Sequence, residues 1–197
     1  LTKAAMGLLA GPSLERLRAA WVAQSDRRTI VIAGLLGVLT PMAIQAAVLG
    51  YAPLADDEAS YRFSAELLAS GRLWVPSPPL KVFFDNQFLV NDGRLYGQYF
   101  LGWPALLALG VKVGAPWLVN PLLSGATAIA LFLVASGWWG ASWGRVAVSL
   151  YLVSPFLMTG AATMLSHTSV IFALAWLLVF LQRVDAGESA WNSALVG

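Results

Sequence analysis

The stretch TIVIAGLLGVLTPMAIQAAVLG, residues 29–50, decides the fold class. It runs 22 residues without a charge. That is long enough to cross a bilayer and longer than the apolar core of a cleaved signal peptide, so it is expected to be an uncleaved span with Pro41 kinking it. Two further uncharged stretches, 113–144 and 146–182, lie C-terminal to it. Between the first and the second runs a polar loop that opens with Asp56-Asp57-Glu58 and holds six carboxylates. Three consecutive acids just beyond a membrane helix are costly beside lipid and point to a site at the membrane surface.

Composition agrees. Of 197 residues, 58% are hydrophobic and 11% charged, where a soluble domain carries about 25% charged residues. The formal charge of +2 and the absence of a basic cluster interleaved with aromatics speak against nucleic acid as a partner. With no cysteine in the chain, disulfides, thiolate metal sites and thiol catalysis are excluded. No phosphate-cradling glycine loop occurs.

The expected fold is an all-α polytopic membrane protein with about four transmembrane helices and a structured loop. Residues 1–28 read as a cytoplasmic N-terminus containing an amphipathic helix over 13–24, with Leu14, Leu17 and Trp21 on one face. After span 1 comes the extracytoplasmic loop, 51–115. There Asp56 is expected to N-cap a helix with Tyr61, Ala65 and Leu68 on one face, which Gly71 ends. Pro76, Pro78 and Pro79 suggest an extended connector, and Asn91-Asp92-Gly93 the turn of a β-hairpin over 88–96. Residues 99–113 are apolar but short, which suggests a re-entrant or juxtamembrane helix. Span 2 is placed from Trp117 to about Gly137, a tight turn from Trp138 to Arg145, span 3 from Val146 to about Thr163 with a kink at Pro155, and span 4 from Thr168 to about Gln182. This layout puts Arg27, Arg28, Arg145 and Arg183 on the cytoplasmic side, as the positive-inside rule requires. It puts Ser166-His167-Thr168 on the side of Asp56–Glu58. Residues 186–197 read as the start of a further helix, so the chain is expected to be the N-terminal part of a longer protein and need not be active by itself.

Several residues suit chemistry. Asp57 reads as a general base or metal-anchoring carboxylate with Glu58 as its neighbour, against the plainer reading that Asp56 and Glu58 only cap a surface helix. His167, the one histidine, is either an acid/base or sugar- or phosphate-contacting group or a helix-cap residue. Lys81, Arg94 and Lys112 are the loop cations able to meet a phosphate. Trp74, Tyr96, Tyr99 and Trp103 suit either stacking on a sugar or an interfacial belt.

The order Asp57-Glu58-x-x-Tyr61, Gly93-Arg94-Leu95-Tyr96-Gly97-Gln98-Tyr99-x-x-Gly102-Trp103-Pro104, Pro116-Trp-Leu-Val-Asn-Pro121, Ser154-Pro155-Phe156 and Met164-Leu-Ser-His-Thr168 resembles the N-terminal part of GT-C superfamily glycosyltransferases. These include protein O-mannosyltransferases, the lipid A aminoarabinose transferase and the oligosaccharyltransferase catalytic subunit. The resemblance covers about residues 29–185. It implies a bacterial inner-membrane enzyme with an extracytoplasmic site, using a polyprenyl-phosphate-linked sugar as donor and a lipid, glycan or protein as acceptor. Asp57 matches the essential loop carboxylate, with Glu58 as its companion; Tyr96, Gln98 and His167 complete the candidate substrate-binding residues. Two departures are clear. Ser166-His167 stand where the oligosaccharyltransferase has acidic metal ligands, which weakens any requirement for a divalent metal, and no cofactor is assigned. Gln98 stands near a position that is basic in many relatives, so phosphate contact falls to Arg94 or Lys81. The competing readings are a transporter or flippase, which expects ionisable groups buried mid-span, and a non-catalytic membrane scaffold.

Overall fold

The computed structural model describes Ala19 and residues 25–187. The expected amphipathic helix and most of the further C-terminal helix lie outside the described residues. The chain is mostly helical with one small sheet. Three helices are long and apolar enough to cross a membrane, and a bent helix pair makes a fourth candidate.

Helix α1 spans Asp26–Ile44 and continues as a π-helical turn, Gln45–Leu49. Pro41 was expected to kink it. Instead the helix runs through Pro41, and the irregularity follows one turn later, closed by Gly50 in the left-handed region (φ 61°). The next residue, Tyr51, also has positive φ and sets its ring edge-on to Trp117 at 5.1 Å. Helix α2, Asp56–Ala69, ends at left-handed Gly71 as expected. Strands β1 (Val75–Pro76), β2 (Leu89–Asn91) and β3 (Arg94–Gly97) follow. Part of the proline-rich connector thus joins the expected hairpin as a third strand, in the order β1-β3-β2, antiparallel throughout. Helix α3, Gly102–Lys112, has 11 residues, about 16 Å of helix, too short to span a hydrocarbon core of about 30 Å.

Helix α4, Val119–Trp139, is preceded by a single 3₁₀ turn, Pro116–Leu118. The reversal expected over Trp138–Arg145 is made by Gly140 alone (φ 90°), and α5 (Ala141–Val153) begins at once. Positive φ at a glycine costs little, which permits so abrupt a turn. The expected kink at Pro155 is a break: α5 and α6 (Pro155–Ala162) are bent by 62°. Proline lacks the N–H and drives the preceding residue to extended backbone. Ser154 accordingly has ψ 112°, and its hydroxyl caps α6 by accepting the Leu157 N–H at 3.4 Å. Helix α7 spans His167–Asp185.

α4 is the inner helix. Of its apolar window 56% is buried, against 22% for α1 and 17% for α7. It contacts α1, α5 and α7. Apolar helices in lipid gain nothing from hiding from water, so their contacts rest on close packing of small residues. Gly37 of α1 meets Ser124 and Gly125 of α4 so closely that a Cβ at Gly37 would stand 2.8 Å from the Gly125 Cα. Beside this crossing, Ala33, Ala128, Phe132, Val148, Tyr151 and Met158 form the buried core of the bundle.

The helices alternate in direction, which gives the bundle two distinct ends. At one end Arg145 donates to Asp26 at 2.7 Å, and the Gln182 amide donates to the Val134 carbonyl at 2.9 Å. At the other end the sheet, α2 and α3 cover the bundle. A second core of Tyr61, Ala65, Trp103, Leu107, Ala108 and Met164 joins this cover to the chain between α6 and α7.

Candidate functional site

The site lies at the covered end, around the start of α2. Asp56 was expected to be its N-cap. The N-cap is Ala55, with no side-chain bond, and the three acids occupy the first turn. Glu58 serves the helix end instead: its Oε1 accepts the Leu54 N–H at 3.2 Å, a glutamate three residues into the helix reaching back over its start. Its Oε2 accepts the Met164 N–H at 2.7 Å. Glu58 is 1% exposed, so both oxygens are committed to backbone donors and the carboxylate faces no open space.

Glu58 belongs to a clamp on residues 163–166, the break between α6 and α7. The Asn120 amide donates to the Thr163 and Leu165 carbonyls at 2.7 and 2.8 Å. The Trp103 indole N–H donates to the Met164 carbonyl at 2.9 Å. Tyr61 Oη and Ser166 Oγ lie 3.3 Å apart. Non-helical backbone inside an apolar bundle is tolerated only when its polar groups find protein partners, and here α2, α3 and α4 supply them. The sequence reading missed Asn120 as a clamp residue. Its signal was an amide within an otherwise apolar span.

Asp57 differs from its neighbour. It is partly buried, and among the described residues its carboxylate accepts one hydrogen bond, from the Glu58 N–H at 3.1 Å. It acts electrostatically on Tyr99, whose ring lies 4.6 Å from that of Tyr61 and 6.0 Å from that of Phe88. The Tyr99 phenol is held above its ordinary pKa by withdrawal from water first, then by Tyr61 and Asp57, with a Gln98 hydrogen bond opposing.

Two hollows lie at this end of the bundle, the first of them reaching Tyr99. The first, of about 510 Å³, lies between α2, the sheet and residues 97–101, and is lined among others by Trp74, Arg94, Tyr96, Gln98 and Tyr99. The second, of about 400 Å³, is an apolar groove along α6 and the start of α7, reaching Leu54 and lined also by Phe156, Thr163, His167 and Ile171.

The residues expected to form the site are therefore divided. Arg94, Tyr96 and Gln98 come together in the first hollow. His167, exposed in the first turn of α7, lines the second. Asp57 lines neither hollow; it stands at the start of α2, three residues after Leu54 of the groove, and acts electrostatically on Tyr99 of the first hollow. Lys81 lines neither; it is exposed and pairs with Asp85 at 3.4 Å. Trp103 is buried in the clamp and offers no stacking face. Beside Asp57, Glu58 is spent on backbone N–H groups, and among the described residues no three His, Asp or Glu side chains converge.

Comparison with protein-family models, with curated proteins and with solved structures finds no match to this chain.

Proposed function

We propose that the protein is a membrane glycosyltransferase, acting at the covered end of the bundle on a polyprenyl-phosphate-linked sugar. The observation that carries this reading is Asp57, a lightly bonded carboxylate in the first turn of α2 that acts electrostatically on Tyr99 of the polar, aromatic hollow and lies three residues after Leu54 of the apolar groove. A lipid-linked donor needs such a division, with its chain in the groove and its sugar and acceptor toward the loop. The resemblance of the loop motifs to GT-C glycosyltransferases supports the same reading. It also supplies the inverting course and a site on the outer face of a bacterial inner membrane, while the basic residues Arg27, Arg28, Arg145 and Arg183 support an N-terminus in the cytoplasm.

In this mechanism an acceptor hydroxyl attacks the anomeric carbon and gives its proton to the Asp57 carboxylate. The new C–O bond forms as the bond to the phosphate oxygen breaks, and polyprenyl phosphate leaves with the electron pair. Because phosphate is a good leaving group, the protein's task is to orient the acceptor and to stabilise the developing charge. Arg94 is the cation nearest in chemistry to that second task. Glu58 positions the start of α2 and takes no proton. The transporter reading expects ionisable groups buried mid-span. The sequence reading expected none, but Tyr151 is one, its hydroxyl 2.9 Å from that of Ser124. That hydroxyl pair joins α4 to α5 and suits helix packing.

The test is release of polyprenyl phosphate from a panel of polyprenyl-phosphate sugars by the full-length protein in proteoliposomes. Asp57→Asn should lower release by about 10²–10⁴-fold, the range of a positioned acid or base, with insertion unchanged. Equal release by both proteins, or none from any donor, removes the catalytic role of Asp57.

A further inference from the structure

Strand β3 sets a row of chemistry on one face. Along a strand alternate residues share a face. Leu95 and Gly97 are buried against α2, where a Cβ at Gly97 would stand 3.0 Å from Ser60 Oγ. Arg94 and Tyr96 therefore face outward, and Gln98 follows them, exposed, into the same hollow. On the neighbouring strand Val75 pairs with Leu95, which brings Trp74 beside Tyr96. The Arg94 guanidinium lies over the Trp74 ring, 4.4 Å from its centroid. Among the described residues Arg94 has no carboxylate within ion-pair distance, although Asp92 lines the same hollow. Trp74 and Tyr96 remain 41% and 38% exposed, so two aromatic rings and three planar or charged hydrogen-bonding groups share one open surface.

We infer that this face is a saccharide subsite, and that the acceptor of the proposed reaction is a glycan held by one of its sugar units. The inference rests on the glycosyltransferase reading for the word acceptor. The binding surface itself rests on the strand. A pyranose offers an apolar C–H face to an aromatic ring and a rim of hydroxyls to planar donors and acceptors. The Gln98 amide donates and accepts and the Asp92 carboxylate accepts, which leaves Arg94 for the phosphate. The hollow of about 510 Å³ falls in the range of small-molecule sites. A nucleic-acid base would also stack on such rings, but one arginine beside Asp92 does not neutralise a phosphate backbone. A bilayer surface is the competing occupant, since Trp and Tyr favour it.

The experiment is saturation-transfer NMR on the protein in nanodiscs, with chitobiose, mannobiose, maltose and a glucuronic acid disaccharide as probes. At least one probe should show transfer concentrated on the C–H protons of one ring face. Its affinity should fall about tenfold in Trp74→Ala and in Tyr96→Ala, the loss of one stacking partner. It should also fall in Gln98→Ala, which leaves both rings in place, and stay unchanged in Trp139→Ala at the far end of the bundle. No transfer to any probe overturns the subsite, and so does equal affinity in wild type and all three hollow variants. Quenching of Trp74 by brominated lipid without any saccharide effect assigns the face to the bilayer and overturns it as well. Donor release is measured on the same samples. Release without saccharide binding removes this inference and leaves the transferase, whereas binding without release supports the subsite and removes the transferase.

Discussion

Tyr99 and Asp57 form a pair whose coupling can be read directly. The phenol's raised pKa keeps it neutral past the pH at which a free tyrosine ionises. The unfolded chain gives up this proton first. The stabilisation is therefore complete below the ordinary tyrosine range and is lost as pH rises through the higher, folded value. Asp57 contributes to the shift because its negative charge opposes a second one on the phenolate. An ultraviolet titration, taken as the difference between each protein and its Tyr99→Phe variant, should show the late-ionising component move down toward the ordinary value in Asp57→Asn. An unmoved component would mean that burial and Tyr61 account for the whole shift.

Among the elements, the clamp on residues 163–166 tests whether the loop is part of the bundle or only rests on it. Glu58→Ala leaves the buried Met164 N–H without its acceptor and frees the Leu54 N–H. Bonds to a charged group contribute about 1.5–3 kcal/mol each, and an abandoned buried donor costs about 1–3 kcal/mol. Thermal unfolding in detergent should therefore place Glu58→Ala about 2–4 kcal/mol below wild type, with Glu58→Gln between the two because it keeps one acceptor oxygen. Asp56→Ala, an exposed change beside it, should stay within about 0.5 kcal/mol. If Glu58→Ala unfolds like Asp56→Ala, the contact does not tie the loop to the bundle.

For the whole molecule, the alternation of α1, α4, the α5–α6 pair and α7 puts Val82 of the loop and Ala186 after α7 at opposite ends. Both are exposed, and the chain has no cysteine of its own. A membrane-impermeant maleimide should react with Val82→Cys in intact spheroplasts and with Ala186→Cys only after permeabilisation, given the proposed orientation. The reverse pattern inverts the orientation. Labelling of both from one side breaks the reading of four crossings.

Much of this was legible in the residues because it follows from local chemistry. Long uncharged runs near Ala33, Ala128 and Ala175 can only be helices if they lie in lipid, since no other open structure satisfies its own backbone there. Gly71 and Asn91-Asp92-Gly93 announce an end and a turn through their backbone freedom. Asp56-Asp57-Glu58 announced a helix start, but not how the work is divided within it. That division is tertiary: whether a carboxylate is a base or a brace depends on which backbone N–H groups reach it, and the Met164 N–H that occupies Glu58 lies 106 residues away. Pro155 signalled a disturbance, yet only the folded chain makes it a full break, with Ser154 capping α6, and holds a second break at residues 163–166 through Glu58, Trp103 and Asn120. The two hollows were invisible for the same reason. Arg94, Tyr96 and Gln98 are neighbours along one strand, but their meeting with Trp74, and their separation from Lys81 and His167, come from packing across the chain.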